Sequence, residues 1–201
     1  EVKNQGSCGS CWAFCTCGNL EGLYFIKYGK LLRFSEQELV DCDTKDSGCN
    51  GGLMENTFQW IKENGGLMEE KDYPYKGKGQ ACKQDKSKFV VKVASYTKLD
   101  TTDEAAIKEF LVKTGPLAIA LNANPLQYYS KGILDKTASQ CDPQGLNHGV
   151  TLVGYGKEKG KEYWIVRNSW GKSWGEKGYF RIALGKGVCG INTYITSAIL
   201  E

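Results

Sequence analysis

Gln5-Gly-Ser-Cys-Gly-Ser-Cys-Trp-Ala-Phe-Cys-Thr-Cys17 places four cysteines, Cys8, Cys11, Cys15 and Cys17, within ten residues. Sulfur that dense can hold a metal, exchange disulfides, staple a loop or attack a substrate, and each use demands its own geometry. Apolar spacing from Cys11 to Lys27 (Trp12, Phe14, Leu20, Leu23, Tyr24) predicts a long helix stopped by Gly29. Along it residues 15 and 17 face nearly opposite sides and cannot share one ion, and no second CxxC completes a tetrahedral set. No metal is expected. Redox exchange through Cys8-Gly-Ser-Cys11 would need the attacking cysteine first, at a helix N-terminus that follows a strand, and nothing upstream supplies the strand. Stapling explains Cys8 but gives no reason for Trp-Ala-Phe after Cys11. Nucleophilic attack by Cys11 fits best, because a helix N-terminus favours an anionic sulfur through its dipole and free amides.

A thiolate nucleophile needs a cation or base beside it. His148 is the only histidine in the chain, so any imidazole chemistry has one candidate. It stands at the start of a strand-like run, Gly149-Val-Thr-Leu-Val-Gly-Tyr155. A third group must orient the ring, and Asn168, at the end of the next strand, is well placed if the two strands are neighbours. A lone histidine is more often structural, and an asparagine at a strand end is more often a turn residue. Taken together the three residues point to nucleophilic catalysis.

The bulk composition narrows the class. At 201 residues the chain can form one large domain or two small lobes, and 41% hydrophobic with 24% charged residues is that of an ordinary globular protein. A net charge of +3 on scattered basic residues argues against a nucleic-acid partner. No apolar run reaches the ~18–20 residues that cross a bilayer, so no membrane partner is expected. Nine cysteines against two methionines point to a secretory or lysosomal location, and the odd count leaves at least one sulfur unpaired within the chain. The first residues, Glu1-Val-Lys-Asn4, follow no signal peptide and read as the interior of a processed or trimmed product.

The two halves differ in texture. Ser35-Glu-Gln-Glu38 is a capping box that opens a short helix running into Val40, and Met54 to Lys62 predicts another that ends at Asn64-Gly-Gly66. Phe89 to Val93 reads as a strand, and Thr101 or Thr102 caps a helix through Lys113. Strand texture follows at Leu117–Leu121, Gly149–Tyr155, Tyr163–Val166 and Tyr179–Leu184. The expected fold class is therefore α+β in two lobes. Residues 1–96 form a mostly helical lobe with the nucleophile helix, and residues 97–201 form a mostly β lobe with the histidine and asparagine. A cleft between such lobes is a usual place for a site.

Gln5-Gly-Ser-Cys-Gly-Ser-Cys-Trp-Ala-Phe14 resembles the nucleophile segment of papain-like cysteine proteases. Asn147-His-Gly149, Asn168-Ser-Trp-Gly-Lys-Ser-Trp-Gly175 and Gly48-Cys-Asn-Gly-Gly52 are similar to other site segments of that family, and the resemblance covers nearly the whole chain. Ser35-Glu-Gln-Glu-Leu-Val-Asp-Cys-Asp43 and Cys189-Gly-Ile-Asn-Thr193 look closest to lysosomal cathepsins of the F or L type.

The resemblance implies a papain-like fold, a helical lobe beside an antiparallel β-barrel-like lobe, and a lysosomal or secreted endopeptidase. The reaction would pass through a thioester. Cys11 would be the thiolate, His148 its imidazolium partner and acid for the leaving amine, and Asn168 the group that holds the ring, shielded by Trp170. Gln5 would donate to the oxyanion together with the Cys11 amide. Implied disulfides are Cys8–Cys49, Cys42–Cys82 and Cys141–Cys189. Cys15 and Cys17 depart from the family pattern and read as small buried apolar groups. Leu53, Met54, Ala120, Leu146, Gly149 and Tyr194 would line an apolar pocket for the residue two before the cleaved bond (P2). Leu or Val is preferred there, with Phe admitted if Tyr194 swings aside. Gly51 and Gly52 would face the substrate backbone, with Gly9 and Asn147 also at the cleft. Without a histidine-bearing insertion, the resemblance implies an endopeptidase rather than a carboxydipeptidase. No metal or organic cofactor is implied. Partners would be peptide and protein substrates, cystatin-like inhibitors and its own propeptide, acting on a monomer. Because the chain starts four residues before Gln5, the rival reading is a truncated, catalytically impaired papain-like fold that serves as a binding protein or antigen.

Overall fold

Helix α1 (Cys11–Tyr28) runs through the centre of the chain's first half in the computed structural model, which describes residues 1–201. Its first half is buried continuously from Trp12 to Glu21, and it stops where Gly29 turns left-handed (φ 69°) and donates its N–H to Phe25 O at 2.8 Å. Helix α2 (Glu36–Cys42) starts at Ser35, whose Oγ accepts the Glu38 N–H at 3.0 Å. Only this half of the expected capping box forms. The Glu38 carboxylate accepts the Met68 N–H at 2.7 Å, and the Ser35 N–H donates to Met68 O, because strand β1 (Leu67–Met68) passes the helix start and takes both groups. Helix α3 (Met54–Asn64) runs two residues past Lys62 and ends at left-handed Gly65.

The expected strand Phe89–Val93 is two strands. β2 (Phe89–Val91) pairs with β1, while β3 (Val93–Lys98) joins the large sheet, and exposed Lys92 carries the chain between them. Helix α4 (Glu104–Thr114) is capped by Asp103 rather than Thr101 or Thr102. Asp103 Oδ1 accepts the Ala105 N–H at 3.0 Å, and Thr101 Oγ1 accepts the Asp103 N–H one step earlier. Asp103→Ala should therefore lower unfolding free energy by about 1 kcal/mol in a urea titration, with Thr102→Ala near neutral.

The remaining strands are β4 (Leu117–Leu121), β5 (Ile133–Leu134), β6 (His148–Glu158), β7 (Lys161–Arg167), β8 (Tyr179–Ala183) and β9 (Ile195–Leu200). Their order is β3-β9-β4-β6-β7-β8-β5, antiparallel throughout except for the β5–β8 pair. Two apolar cores result. One gathers Trp12, Leu20, Phe34, Phe58 and Ile61 around the first three helices and reaches Ala118 and Ala198 on the sheet. The other packs Ile107 and Leu111 of α4 with Leu117, Trp164, Phe180 and Ile182. Helix α1 lies against β6 so closely that a Cβ on Gly18 would come 2.4 Å from Thr151 Oγ1, and one on Gly149 would come 2.9 Å from Cys15 Sγ. Two glycines thus set how near the start of α1 stands to the start of β6. No helix is long and apolar enough to cross a membrane.

Three buried carboxyls give the fold an acid preference, one of them Glu36, which burial raises against the pull of the Lys3 ammonium beside it. Burial pushes Glu38 up to about 7, against the Met68 amide, and burial followed by the neighbouring Asp46 carboxyl pushes Asp43 up to about 7. Both folded values lie above the unfolded ones, so the fold favours their protonated forms. That stability is fully present below the unfolded carboxyl range, about pH 4, and is lost as pH rises through about 7. Unfolding free energy should fall by on the order of 2 kcal/mol between pH 5 and pH 8, and less in Glu38→Gln and Asp43→Asn. A profile that stays flat or rises over that range contradicts this.

Candidate active site

Cys11 is the first residue of α1, and the helix start is open. Ser10 makes no side-chain cap, its Oγ being 2.8 Å from the Tyr75 hydroxyl, and the first turn carries no acidic residue. Backbone N–H groups of Gly149 and Trp12 face the Cys11 sulfur. Three disulfides link Cys8 to Cys49, Cys42 to Cys82 and Cys141 to Cys189, leaving Cys11, Cys15 and Cys17 as free thiols. Since Cys8 is bonded to Cys49, it is not the exchange partner of Cys11.

Antiparallel pairing of β6 with β7, register Thr151 opposite Arg167, brings His148 and Asn168 to the same end of the sheet. His148 Nε2 and Asn168 Oδ1 are 2.8 Å apart, so the ring donates from Nε2 and leaves Nδ1 for the cleft. The Trp170 ring lies 5.0 Å from the imidazole and is itself met edge-on by Trp174. Gln5 is stitched to the same loop twice. Its backbone N–H donates to Ser169 O at 2.8 Å, and its Oε1 accepts the Ser169 hydroxyl at 2.6 Å. That second bond fixes which end of the amide points where: Nε2 is the free-facing donor, with one hydrogen on Cys8 O at 3.1 Å and one left over. Ser169 is a part of the site that sequence reasoning passed over. Its only signal was adjacency to Asn168.

Residues 1–199 match the family described as papain family cysteine protease. The chain belongs to the papain family. It is 49% identical to cathepsin F of Drosophila melanogaster over all of this chain and 34% of that protein. It is 48% identical to cysteine proteinase 15A of Pisum sativum over 98% of this chain and 58% of that protein. Among solved structures, digestive procathepsin L 3 of the Tenebrio molitor larval midgut superposes with a TM-score of 0.95 at 41% identity, over 100% of this chain and 66% of that one. The chain thus spans between a third and three-fifths of these two curated relatives. Its papain-like fold sets helices beside a large, mainly antiparallel sheet.

A cavity of about 210 Å³ opens beside Cys11 and His148. Trp12, Gly51, Gly52 and Leu53 line one side, and Met54, Ala120, Leu146, Asn147, Gly149 and Tyr194 complete it. Gly9 and Trp170 are not among the residues that line this cavity. Gly9 bridges to Asn50, where a Cβ would come 2.4 Å from Cys49 O, and Trp170 covers the His148–Asn168 pair. Gly52 has a packing reason as well, because a Cβ there would strike the Trp12 ring at 2.6 Å.

Burial pushes the Cys11 thiol above its ordinary value, the surrounding amides opposing it, and holds His148 below the usual imidazole value against the Asn168 bond. Cys15 and Cys17 are buried, and burial drives both thiols well above the ordinary range. Cys15 packs on Gly149 and donates to Trp12 O at 3.3 Å.

Proposed function

We propose that this chain is the peptidase unit of a lysosomal or secreted cysteine endopeptidase. The observation that carries the reading is the meeting in one cleft of Cys11, at an open helix start, with His148, held by Asn168, while Ser169, next along the chain, holds Gln5.

Burial disfavours either charge alone, yet moving one proton from Sγ to Nδ1 leaves the site's net charge unchanged and gives each ion a partner. Amides at the helix start then add to the thiolate's stability. The thiolate attacks the peptide carbonyl. The resulting oxyanion accepts hydrogen bonds from the spare Gln5 Nε2 hydrogen and the Cys11 backbone N–H. His148 gives its proton to the departing amine, leaving a thioester, and then takes a proton from the water that hydrolyses it. Asn168 holds the ring through the whole cycle, and Trp170 keeps water from that bond. Cleft glycines 51 and 52 leave room for an extended substrate backbone. The apolar cavity takes Leu or Val at P2. Protein inhibitors of cystatin type and the chain's own propeptide would enter the same cleft of a monomer. Three disulfides and the acid-favoured Glu38 and Asp43 suit an acidic, oxidising compartment.

Gln5→Ala tests the oxyanion assignment. It should lower kcat about 10²–10³-fold on a peptide amide with little change in KM, because the bond strengthens in the transition state. Loss confined to KM would move Gln5 out of that role.

A further inference from the structure

We propose that Lys98 and Glu55 form a latch that holds the Tyr194 ring across the end of the cleft cavity and thereby sets how large a P2 side chain enters. This rests on the peptidase reading above and assigns two residues outside the cavity a part in its specificity.

Tyr194 lines the cavity with Met54, Ala120 and Leu146, just before β9 begins. Its hydroxyl is buried and meets no partner at full hydrogen-bond geometry, and the polar group that faces it is Glu55 of the latch itself. What holds it is outside. Lys98 Nζ stands 4.7 Å from the ring centroid and 2.8 Å from Glu55 Oε1. The three groups come from different elements. Lys98 ends β3, opposite Thr196 in the β3–β9 ladder, Glu55 lies in the first turn of α3, and Tyr194 leads into β9. The ammonium is thus anchored by the sheet on one side and by the helix on the other, with the aromatic face beneath it. A cation over a ring face attracts it, and the carboxylate keeps the cation in place. Latched, the ring closes the cavity at the length of a branched aliphatic side chain. Released, it can turn outward and open space for a phenyl group. Lys98 and Glu55 keep 44% and 25% of their side-chain surface exposed, so both can be changed without opening the core.

Two measurements on Lys98→Met, Glu55→Gln and Lys98→Arg test the latch. The first compares kcat/KM for two peptides that differ only in Leu or Phe at P2. Lys98→Met and Glu55→Gln should raise the Phe value about fivefold, the size of change expected on losing one exposed cation–π contact. The Leu value should stay within about twofold, and Lys98→Arg should keep the starting ratio. The second is the rate at which tetranitromethane nitrates Tyr194, read by peptide mapping against Tyr128, which is 89% exposed and serves as internal control. Tyr194 should nitrate faster in Lys98→Met while Tyr128 does not change. An unchanged Leu-to-Phe ratio together with an unchanged Tyr194 nitration rate overturns the latch. If neither the starting protein nor any variant cleaves either peptide, the peptidase reading fails, and the nitration contrast alone decides the latch.

Discussion

Cys11→Ser should lower kcat/KM for peptide cleavage by about four orders of magnitude or more, while Cys15→Ser stays within about threefold of the starting protein. The asymmetry follows from placement. The Cys11 sulfur faces the open cleft, the Gly149 amide and the free amides at the start of α1, while Cys15 Sγ is packed against Gly149 and bonded to the helix's own carbonyl. Serine keeps the size of the side chain but is not ionised by a neutral imidazole, so attack is lost although the fold remains. Equal losses in the two variants would point to a shared packing role and remove Cys11 from the chemistry. A thermal melt of each variant separates the two explanations.

Lys3→Met should cost about 3–5 kcal/mol of unfolding free energy. Lys3 is buried and paired with both Glu21 and Glu36, and its ammonium also points toward Phe34 O. Burial works against the charge on Lys3, and the carboxylates of Glu36 and Glu21 outweigh it, so its ammonium titrates above the ordinary lysine range. Methionine fills the space but leaves two buried carboxylates, one on α1 and one at the start of α2, without their cation. Arg167, 3.5 Å from Glu21, relieves only one of them. The loss should be larger at pH 8 than at pH 5, because the orphaned carboxylates can take up protons in acid. Adding Glu36→Gln to Lys3→Met should recover part of it. A change below about 1 kcal/mol in guanidinium unfolding would mean that the cluster contributes little.

What could be read in advance and what could not divide along sequence distance. The α1 helix was legible because Leu20, Leu23 and Tyr24 fall at helical spacing and Gly29 supplies the stop. The His148 and Asn168 pair was legible because two successive strand-like runs joined by a short connection imply neighbours in a sheet. Contacts set by distant partners were not. The Glu38 carboxylate goes to Met68, 30 residues away, and no local rule could take it from Ser35. The Phe89–Val93 run reads as one strand broken only by Lys92, yet its two ends belong to different sheets. At α4 Thr101 or Thr102 reads as the cap, and the hydrogen bond to Ala105 puts the cap on Asp103 instead. The Lys3 cluster joins residues 18 and 33 positions apart, and the part played by Ser169 depends on Gln5, at the other end of the chain.

The measurement that bears most directly on the thiolate–imidazolium pair is the alkylation rate of each free cysteine by iodoacetamide between pH 4 and pH 10, located by peptide mapping. An unperturbed thiol gains its reactivity near pH 8.5, whereas one ionised by a neighbouring imidazolium reacts well below that, at about pH 5–6. Cys11 alone should react fast at pH 5–6, with Cys15 and Cys17 silent until the fold opens. A Cys11 that reacts only above about pH 8.5 would contradict the account, because no ion pair would then be assembled, and the chain would be a papain-like fold that binds without cleaving.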